Sequence, residues 1–149
     1  VIAFAITRYN DVIKKVNDVK TYEYILMEFD EDNLDHVKLG PSIESLCRNS
    51  NPKYKGVGTL LLENITNHYI KKGVKRIYLV PESTKYKVYG YEYCDSKTNK
   101  EKYIESQKSL HKFYNNFGFY RLKDHYEYEV CYSYQPSVIF YPVFCKDLG

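Results

Sequence analysis

The sequence lacks several features that mark whole classes of protein. No apolar run approaches the roughly 20 residues that a membrane-spanning helix needs. The N-terminal Val1–Ile6 segment has neither the basic start nor the small-residue cleavage site of a secretory signal. The four cysteines include no C-x-x-C pair, and none has ligand spacing with a histidine, so we expect free thiols and no metal site. These absences favour an intracellular, cytoplasmic protein without a membrane partner.

The chain also lacks a strong excess of charge of either sign. Its 22 Lys and Arg stand against 19 Asp and Glu, a net charge of +3, whereas nucleic-acid binding favours a clustered basic face. Lys85–Tyr93 mixes Lys and Tyr in a way that suits stacking and phosphate contacts, but an exposed hairpin is the interpretation we prefer. Nucleic acid is therefore not an expected partner. There is no initiator Met, and we expect residues upstream of Val1 to be missing.

What is present suits one globular domain. The chain has 149 residues, of which 44% are hydrophobic and 28% charged, and it shows no repeat and no linker. We expect a single domain over residues 1–149.

Apolar periodicity predicts alternating strands and helices. The predicted helices are Gly58–Lys72, ended by Gly73, and Ser106–Phe117, ended by Gly118. The predicted strands are Val1–Arg8, Thr21–Phe29, Ser42–Arg48, Val74–Val80, His125–Tyr132 and Ser137–Cys145.

Polar or ambiguous segments join these elements. Tyr9–Lys20 is predicted to be a connector and Lys85–Cys94 a small hairpin, and the stretch Asp95–Glu101 that follows it is polar. Pro142 implies a sheet edge or a bulge within the last strand. Strand, helix and strand between residues 42 and 80 make a βαβ unit, so the predicted class is α/β (α+β) with a mixed sheet.

A glycine-rich segment, Lys53–Thr59, stands between a strand and an amphipathic helix. The first turn of a helix carries unsatisfied N–H groups and a positive dipole end, which together form an anion site. Gly56 and Gly58 lack a Cβ, so a phosphate can approach the backbone, and Lys53 and Lys55 add positive charge. The sequence therefore predicts a pyrophosphate site here.

Two familiar phosphate loops do not fit this segment. The nucleotide P-loop string Gly-x-x-x-x-Gly-Lys-Ser/Thr is absent, and a Rossmann fingerprint would need glycine where Leu61 stands. The remaining pattern is basic-x-x-Gly-x-Gly.

That pattern, in its strand–loop–helix context, resembles the Gln/Arg-x-x-Gly-x-Gly/Ala signature of the GNAT superfamily of N-acetyltransferases. Phe113–Phe119 is similar to the family's second signature, a helix that ends in Tyr-x-x-x-Gly-Phe. The resemblance covers nearly the whole chain, with a Tyr-rich insertion at about 84–103. It departs from the pattern at Lys53, which stands for Gln or Arg, and at Gln107, where Asn is frequent. The family's first strand and two following helices have no counterpart ahead of Val1.

The resemblance implies a mostly antiparallel sheet flanked by helices, with acetyl-CoA as co-substrate in a cleft between two splayed strands, Ser42–Arg48 and Val74–Val80. It places main-chain groups near Leu46 and Arg48 along the pantetheine arm and the N–H groups of residues 54–59 at the pyrophosphate. The implied cofactor-binding residues are Leu46, Arg48, Lys53, Tyr54, Lys55, Gly56, Val57, Gly58, Thr59, Gln107 and Tyr114.

The implied reaction is direct attack of a primary amine on the thioester. Tyr114 matches the family's tyrosine, which stabilises the leaving thiolate or acts as general acid. An N–H group near Leu46 would stabilise the oxyanion. Glu44 and a chain of water molecules are equal candidates for the base. The acceptor, whether a small molecule, a polyamine or a protein, is not identified by the sequence.

Each of these residues also has a structural interpretation. Gly56 and Gly58 would serve in a plain turn and helix cap, Tyr114 in a core, and Glu44 on a solvated strand face. The acidic residues at 28–35 would either attract a cationic acceptor or form a solvated loop. A GNAT-like module that binds CoA or another partner without catalysis is the alternative function.

Overall fold

The computed structural model describes residues 3–13, 35–48, 51–82, 97–131 and 137–149. Within these ranges it is a mixed α/β structure with a mostly antiparallel sheet and two α-helices. The predicted strand at 21–29 and the predicted hairpin at 85–94 lie outside the described residues. The elements are β1 (Ala3–Ile13), β2 (His36–Arg48), a 3-10 helix (Pro52–Tyr54), α1 (Val57–Lys71), β3 (Arg76–Leu79), α2 (Lys97–Asn116), β4 (Tyr120–Cys131) and β5 (Ser137–Asp147).

The strands follow the order β1-β2-β3-β5-β4, and a single pairing of Ile13 with Tyr126 closes β1 against β4. Only β2 and β3 run parallel among the described strands. They are joined through α1, which confirms the predicted βαβ unit, because parallel neighbours need a crossover connection. The last strand, β5, lies between β3 and β4 and pairs with both.

Both helices cover the same face of the sheet. Ile77 and Leu79 are two residues apart on β3, so they point to one face, and both are buried. Their cluster includes Leu62 from α1 and Tyr114 from α2, and it is completed by Ile43, Phe119, Phe144 and Leu148. The core therefore sits between the helices and the central strands, as the apolar stripes of the two helices predict.

Both α-helices end in the same hydrogen-bonded motif, and glycine supplies it each time. At the end of α1, Val74 N–H donates to Tyr69 O and Gly73 N–H to Ile70 O, both at 3.0 Å. Gly73 has φ +76° and Gly118, after α2, has φ +101°, conformations that glycine adopts without strain. These are Schellman motifs, so the predicted glycine stops are confirmed.

β1 and β2 are longer than predicted because irregularities absorb their turn-forming residues. β1 continues to Ile13, whereas residues 9–13 were predicted to be connector; its register with β2 shifts between Tyr9 and Asp11, so Asn10 falls at the irregularity. β2 begins at His36 and includes Gly40, whose φ is +136°. Glycine and asparagine here mark a bulge within strands rather than a loop between them.

The start of α2 was also predicted wrongly. The helix begins at Lys97, nine residues before the predicted start, so it includes most of the polar stretch at 95–101. Its first turns are rich in Lys and Glu, which favour helix but leave no apolar stripe to detect. Pro142 lies beside the register shift of β4 against β5, which confirms the predicted irregularity.

Leu62→Ala is expected to lower the free energy of unfolding by about 2–5 kcal/mol, because Leu62 has no exposed surface and its removal leaves a cavity in the core. Leu60→Ala is the matched control on the same helix. Leu60 is 57% exposed, so the expected change is within about 0.5 kcal/mol. Urea unfolding at pH 7 measures both. Equal losses in the two variants would contradict the described packing of α1.

Candidate functional site

The parallel contact between β2 and β3 is very short. Ser42 pairs with Tyr78 and Ile43 pairs with Leu79, and the ladder ends there. β2 continues from Glu44 to Arg48 with β1 on its other edge, where Ala5 faces Leu46 and Ala3 faces Arg48. Among the described strands, none pairs with the β3-facing edge of this stretch. The parallel pairing therefore ends at Ile43 and Leu79, and beyond this point of separation β3 has ended while β2 runs on to Arg48.

A β-bulge lies at the point of separation. In the β1–β2 ladder Ile6 faces Ser45 and Thr7 faces Ile43, so Glu44 is the extra residue of a bulge in β2. A bulge bends its strand and increases the local twist. Glu44 immediately follows Ile43, the last β2 residue paired with β3, and its side chain is exposed. The bulge therefore lies directly after the last pair with β3, and periodicity alone did not predict it.

On the opposite side of this separation, the chain after β3 is held by α2. Gln107 is fully buried, and its Nε2 donates to the carbonyl oxygen of Pro81 at 2.8 Å. Proline has no N–H to continue the ladder, so β3 ends before it. The predicted cofactor-binding residue Gln107 therefore contacts the chain itself through its amide nitrogen.

The glycine loop forms an uncapped helix N-terminus. Gly56 occupies the N-cap position at φ +89°, no side chain caps the helix, and its first turn holds no acidic residue. The first helical bond runs from Leu60 N–H to Gly56 O at 3.1 Å, so the N–H groups of Val57, Gly58 and Thr59 precede the helical ladder. A Cβ built on Gly56 meets nothing within 4 Å. This end of α1 is open and has the electrostatics of an anion site.

Lys53, Tyr54 and Lys55 lead into that helix through the 3-10 turn. Asn51 Oδ1 accepts a hydrogen bond from Lys53 N–H at 3.1 Å, which fixes the start of the turn. Both lysines are exposed. The Lys53 ammonium lies 4.9 Å from the centre of the Tyr54 ring, a cation–π contact that holds it beside the loop. The loop therefore carries two exposed lysines immediately before the start of α1 in the sequence.

Tyr114 lies in the hydrophobic core. It is 7% exposed and belongs to the cluster that includes Ile43 and Leu79, and Leu46 packs against that cluster. Its carbonyl oxygen accepts from Phe119 N–H at 3.0 Å in the Schellman motif, and its ring meets the Phe119 ring edge-on at 5.8 Å. Helices that end this way commonly pair an apolar side chain at each of these two positions. The Tyr-x-x-x-Gly-Phe string thus has a structural explanation of its own.

One more titratable residue of α2 lies near the core. His111 is partly buried, and its ring packs edge-on against Phe144 at a centroid distance of 4.6 Å. Burial, and secondarily the charge of Arg121, lower the pKa of His111 to about 4. The imidazole is therefore neutral at pH 7. A lone histidine among aromatic residues gives no signal in the sequence.

A pocket with an empty volume of about 230 Å³ lies beside the parallel pair. Its lining residues are uncharged: Leu39, Gly40, Ser42, Tyr78, Leu79, Val80 and Val143.

A separate cluster of polar side chains lies at the first residue of β3. Arg76 Nε donates to Asp147 Oδ1 at 2.7 Å, and Tyr120 OH donates to Asp147 Oδ2 at 3.0 Å. These bonds lower the pKa of Asp147 and tie three strands together. The charged side chains of this cluster are therefore explained by the hydrogen bonds that they make with one another.

Comparison of the chain with protein-family models, with characterised proteins and with solved structures found no match. None of the helices within the described ranges has the length and apolar character to cross a membrane. In the same ranges, no group of three His, Cys, Asp or Glu side chains forms a candidate metal site.

The pKa of His111 predicts a pH-dependent stability. The folded pKa of about 4 lies below the unfolded value of about 6.5, so the unfolded chain binds a proton first. Stability from the neutral imidazole is complete above pH 6.5 and is lost as the pH falls toward 4. After allowance for partial exposure, we expect a loss of about 1 kcal/mol between pH 7 and pH 5. His111→Gln should reduce this loss in urea unfolding, and an unchanged pH dependence would contradict the assignment.

Proposed function

We propose that this chain is a GNAT-type N-acetyltransferase, which uses acetyl-CoA to acetylate a primary amine. The observation that carries the proposal is the shortness of the parallel contact, in which only two residues of β2 pair with β3 although β2 runs on to Arg48. An extended ligand needs a strand edge along which it can bind, and among the described strands none pairs with the β3-facing edge of β2 beyond Glu44. The glycine loop follows β2 directly along the chain. This combination matches the cleft and the pyrophosphate site that the sequence resemblance implies.

The edge of β2 suits the pantetheine arm. That arm carries two amide groups on a narrow chain, and amides hydrogen-bond to a free strand edge as an added strand does. The main chain at Leu46 and Arg48 would supply these bonds. Leu46 also packs against the core cluster through its side chain, which holds the edge in place.

The N-terminus of α1 suits the pyrophosphate. Val57, Gly58 and Thr59 supply N–H groups ahead of the helical ladder, and Gly56 leaves open space in front of them. The dipole of a 15-residue helix adds positive potential at the same point. Lys53 and Lys55 contribute charge, though Lys53 cannot form the two-pronged contact of an arginine.

Acetyl-CoA, when bound, supplies an activated acetyl thioester that a neutral amine attacks, with the CoA thiolate as leaving group. The chain must then accept the proton of the amine, and Glu44 is exposed at the bulge beside the proposed cleft. A water chain serves equally well as the acceptor of that proton. A main-chain N–H near Leu46 would stabilise negative charge on the acetyl oxygen. Acetyl-CoA supply makes the cytoplasm the expected compartment.

Tyr114 is the proposed thiolate stabiliser, and its position is consistent with both a chemical and a structural role. It shares a core cluster with Ile43, the last β2 residue before the separation, so it lies near the strand that parts. Its burial and its place in the Schellman motif also explain it without chemistry. The second observation favours the alternative function, a module that binds CoA or another partner without catalysis. The acceptor remains a small molecule, a polyamine or a protein amine.

The cofactor site is tested by Gly56→Glu, with Gly73→Glu as a matched control. Both glycines have positive φ and open space at the Cβ position, so the backbone strain of the two changes is similar. Only Gly56→Glu brings negative charge to the proposed pyrophosphate site. In calorimetry, acetyl-CoA and CoA should bind the wild type with micromolar Kd. Gly56→Glu should weaken binding at least about tenfold and Gly73→Glu less than about twofold.

A folded wild-type chain that binds neither ligand would contradict the cofactor site. Equal loss in the two glycine variants would assign the effect to strain in α1 and remove the support for a pyrophosphate at Gly56.

Tyr114→Phe separates the enzyme from the binding module. If Tyr114 stabilises the thiolate, the variant should release CoA thiol at least about a hundredfold more slowly while it keeps the wild-type affinity for CoA. The assay is thiol release from acetyl-CoA with a panel of small amines, spermidine and lysine-bearing peptides. Retained CoA binding without turnover of any of these amines by the wild type would favour the module.

A further inference from the structure

Gln107 is an unusual residue for its position. It lies on the core-facing side of α2, three residues after the half-buried Ile104 and seven before the buried Tyr114, and it has no exposed surface. A glutamine amide in a core is costly unless it is hydrogen-bonded. Its Nε2 donates to Pro81 O at 2.8 Å. Pro81 is buried as well, so both partners of this bond are shielded from water.

The bond acts on the chain just beyond the parallel pair. Leu79 is the last residue of β3 and the partner of Ile43, and Pro81 follows two residues later. A strand that continued beside β2 would offer its carbonyl groups to the ladder. The carbonyl of Pro81 instead accepts a bond from α2, on the face of the sheet that the helices cover. The segment that follows β3 is thereby bonded to α2 just after its pairing with β2 ends.

We infer that Gln107 is a positioning residue: its amide holds Pro81 and fixes the point at which β3 separates from β2. Pro81 has no N–H group to donate to a neighbouring strand, which ends the β-ladder but does not determine where the chain goes next. The hydrogen bond from Gln107 fixes the position of the Pro81 carbonyl relative to α2. The cleft width would then depend on a buried side chain that need not contact the cofactor, a consequence for CoA affinity that rests on the proposed function.

Two substitutions separate the contributions of the two residues. Gln107→Met keeps a similar length and volume but removes the donor. Pro81→Ala keeps the carbonyl and its bond to Gln107 but restores an N–H. Lys108→Ala changes the neighbouring exposed side chain and controls for effects on α2. Amide hydrogen exchange reports local opening, and calorimetry with CoA reports the cleft.

In Gln107→Met, exchange at Leu79 and Val80 should rise at least about tenfold, while exchange at Tyr128 in the β4–β5 ladder stays within about twofold. CoA affinity should fall about tenfold in this variant and remain near the wild-type value in Pro81→Ala and Lys108→Ala. The inference would be overturned if amide exchange in Gln107→Met rose uniformly along the chain or did not rise at all. It would also be overturned if Pro81→Ala increased exchange at Leu79 and Val80, or weakened CoA binding, more than Gln107→Met does.

A measurement on the wild type covers the case in which Gln107→Met does not fold. The side-chain amide protons of Gln107 should exchange at least about tenfold more slowly than those of the exposed Asn67. Equal rates would overturn the inference. If the wild type does not bind CoA, the proposed function fails, whereas the exchange data still decide the role of Gln107.

Discussion

The structure depends on a parallel contact of two residues on each strand. Ile43 and Leu79 lie side by side in that contact, and both are buried against Leu62 of α1. Parallel strands can meet only through a crossover, so the glycine loop and α1 are placed by this contact. Because the contact is short, each strand is free to follow a separate path beyond it. The bulge at Glu44 and the bond of Gln107 to Pro81 lie just beyond the contact, one on each strand's side.

The two motifs that suggest an acetyltransferase differ in how fully the fold alone explains their residues. Phe113–Phe119 is explained by a Schellman motif, in which Gly118 takes positive φ and Tyr114 packs against Phe119. The glycine loop is different. Gly56 takes positive φ with open space around it and no cap for the N–H groups that follow. A turn alone explains its backbone conformation, but two exposed lysines beside an uncapped helix add positive potential that suits an anion.

Much of this arrangement could be predicted from the sequence. The glycines after each helix and the apolar stripes gave the helix ends and the core face, since both depend on local geometry. The start of α2 could not be found, because the sequence of its first turns is rich in Lys and Glu and has no apolar stripe. The roles of Glu44 and Gln107 depend on partners distant in sequence. A bulge is defined by the residue pairing with the opposite strand, which the sequence does not give. A buried glutamine on a helix does not reveal which carbonyl group accepts its hydrogen bond.

The central claim, that the parted edge of β2 and the start of α1 hold CoA, is tested most directly by mapping CoA binding onto amide resonances of the wild-type chain. If CoA binds there, the largest shifts should fall in residues 44–48 and 56–60, with small shifts in the β4–β5 ladder. Shifts confined to other parts of the chain, or no shifts at millimolar CoA, would contradict it.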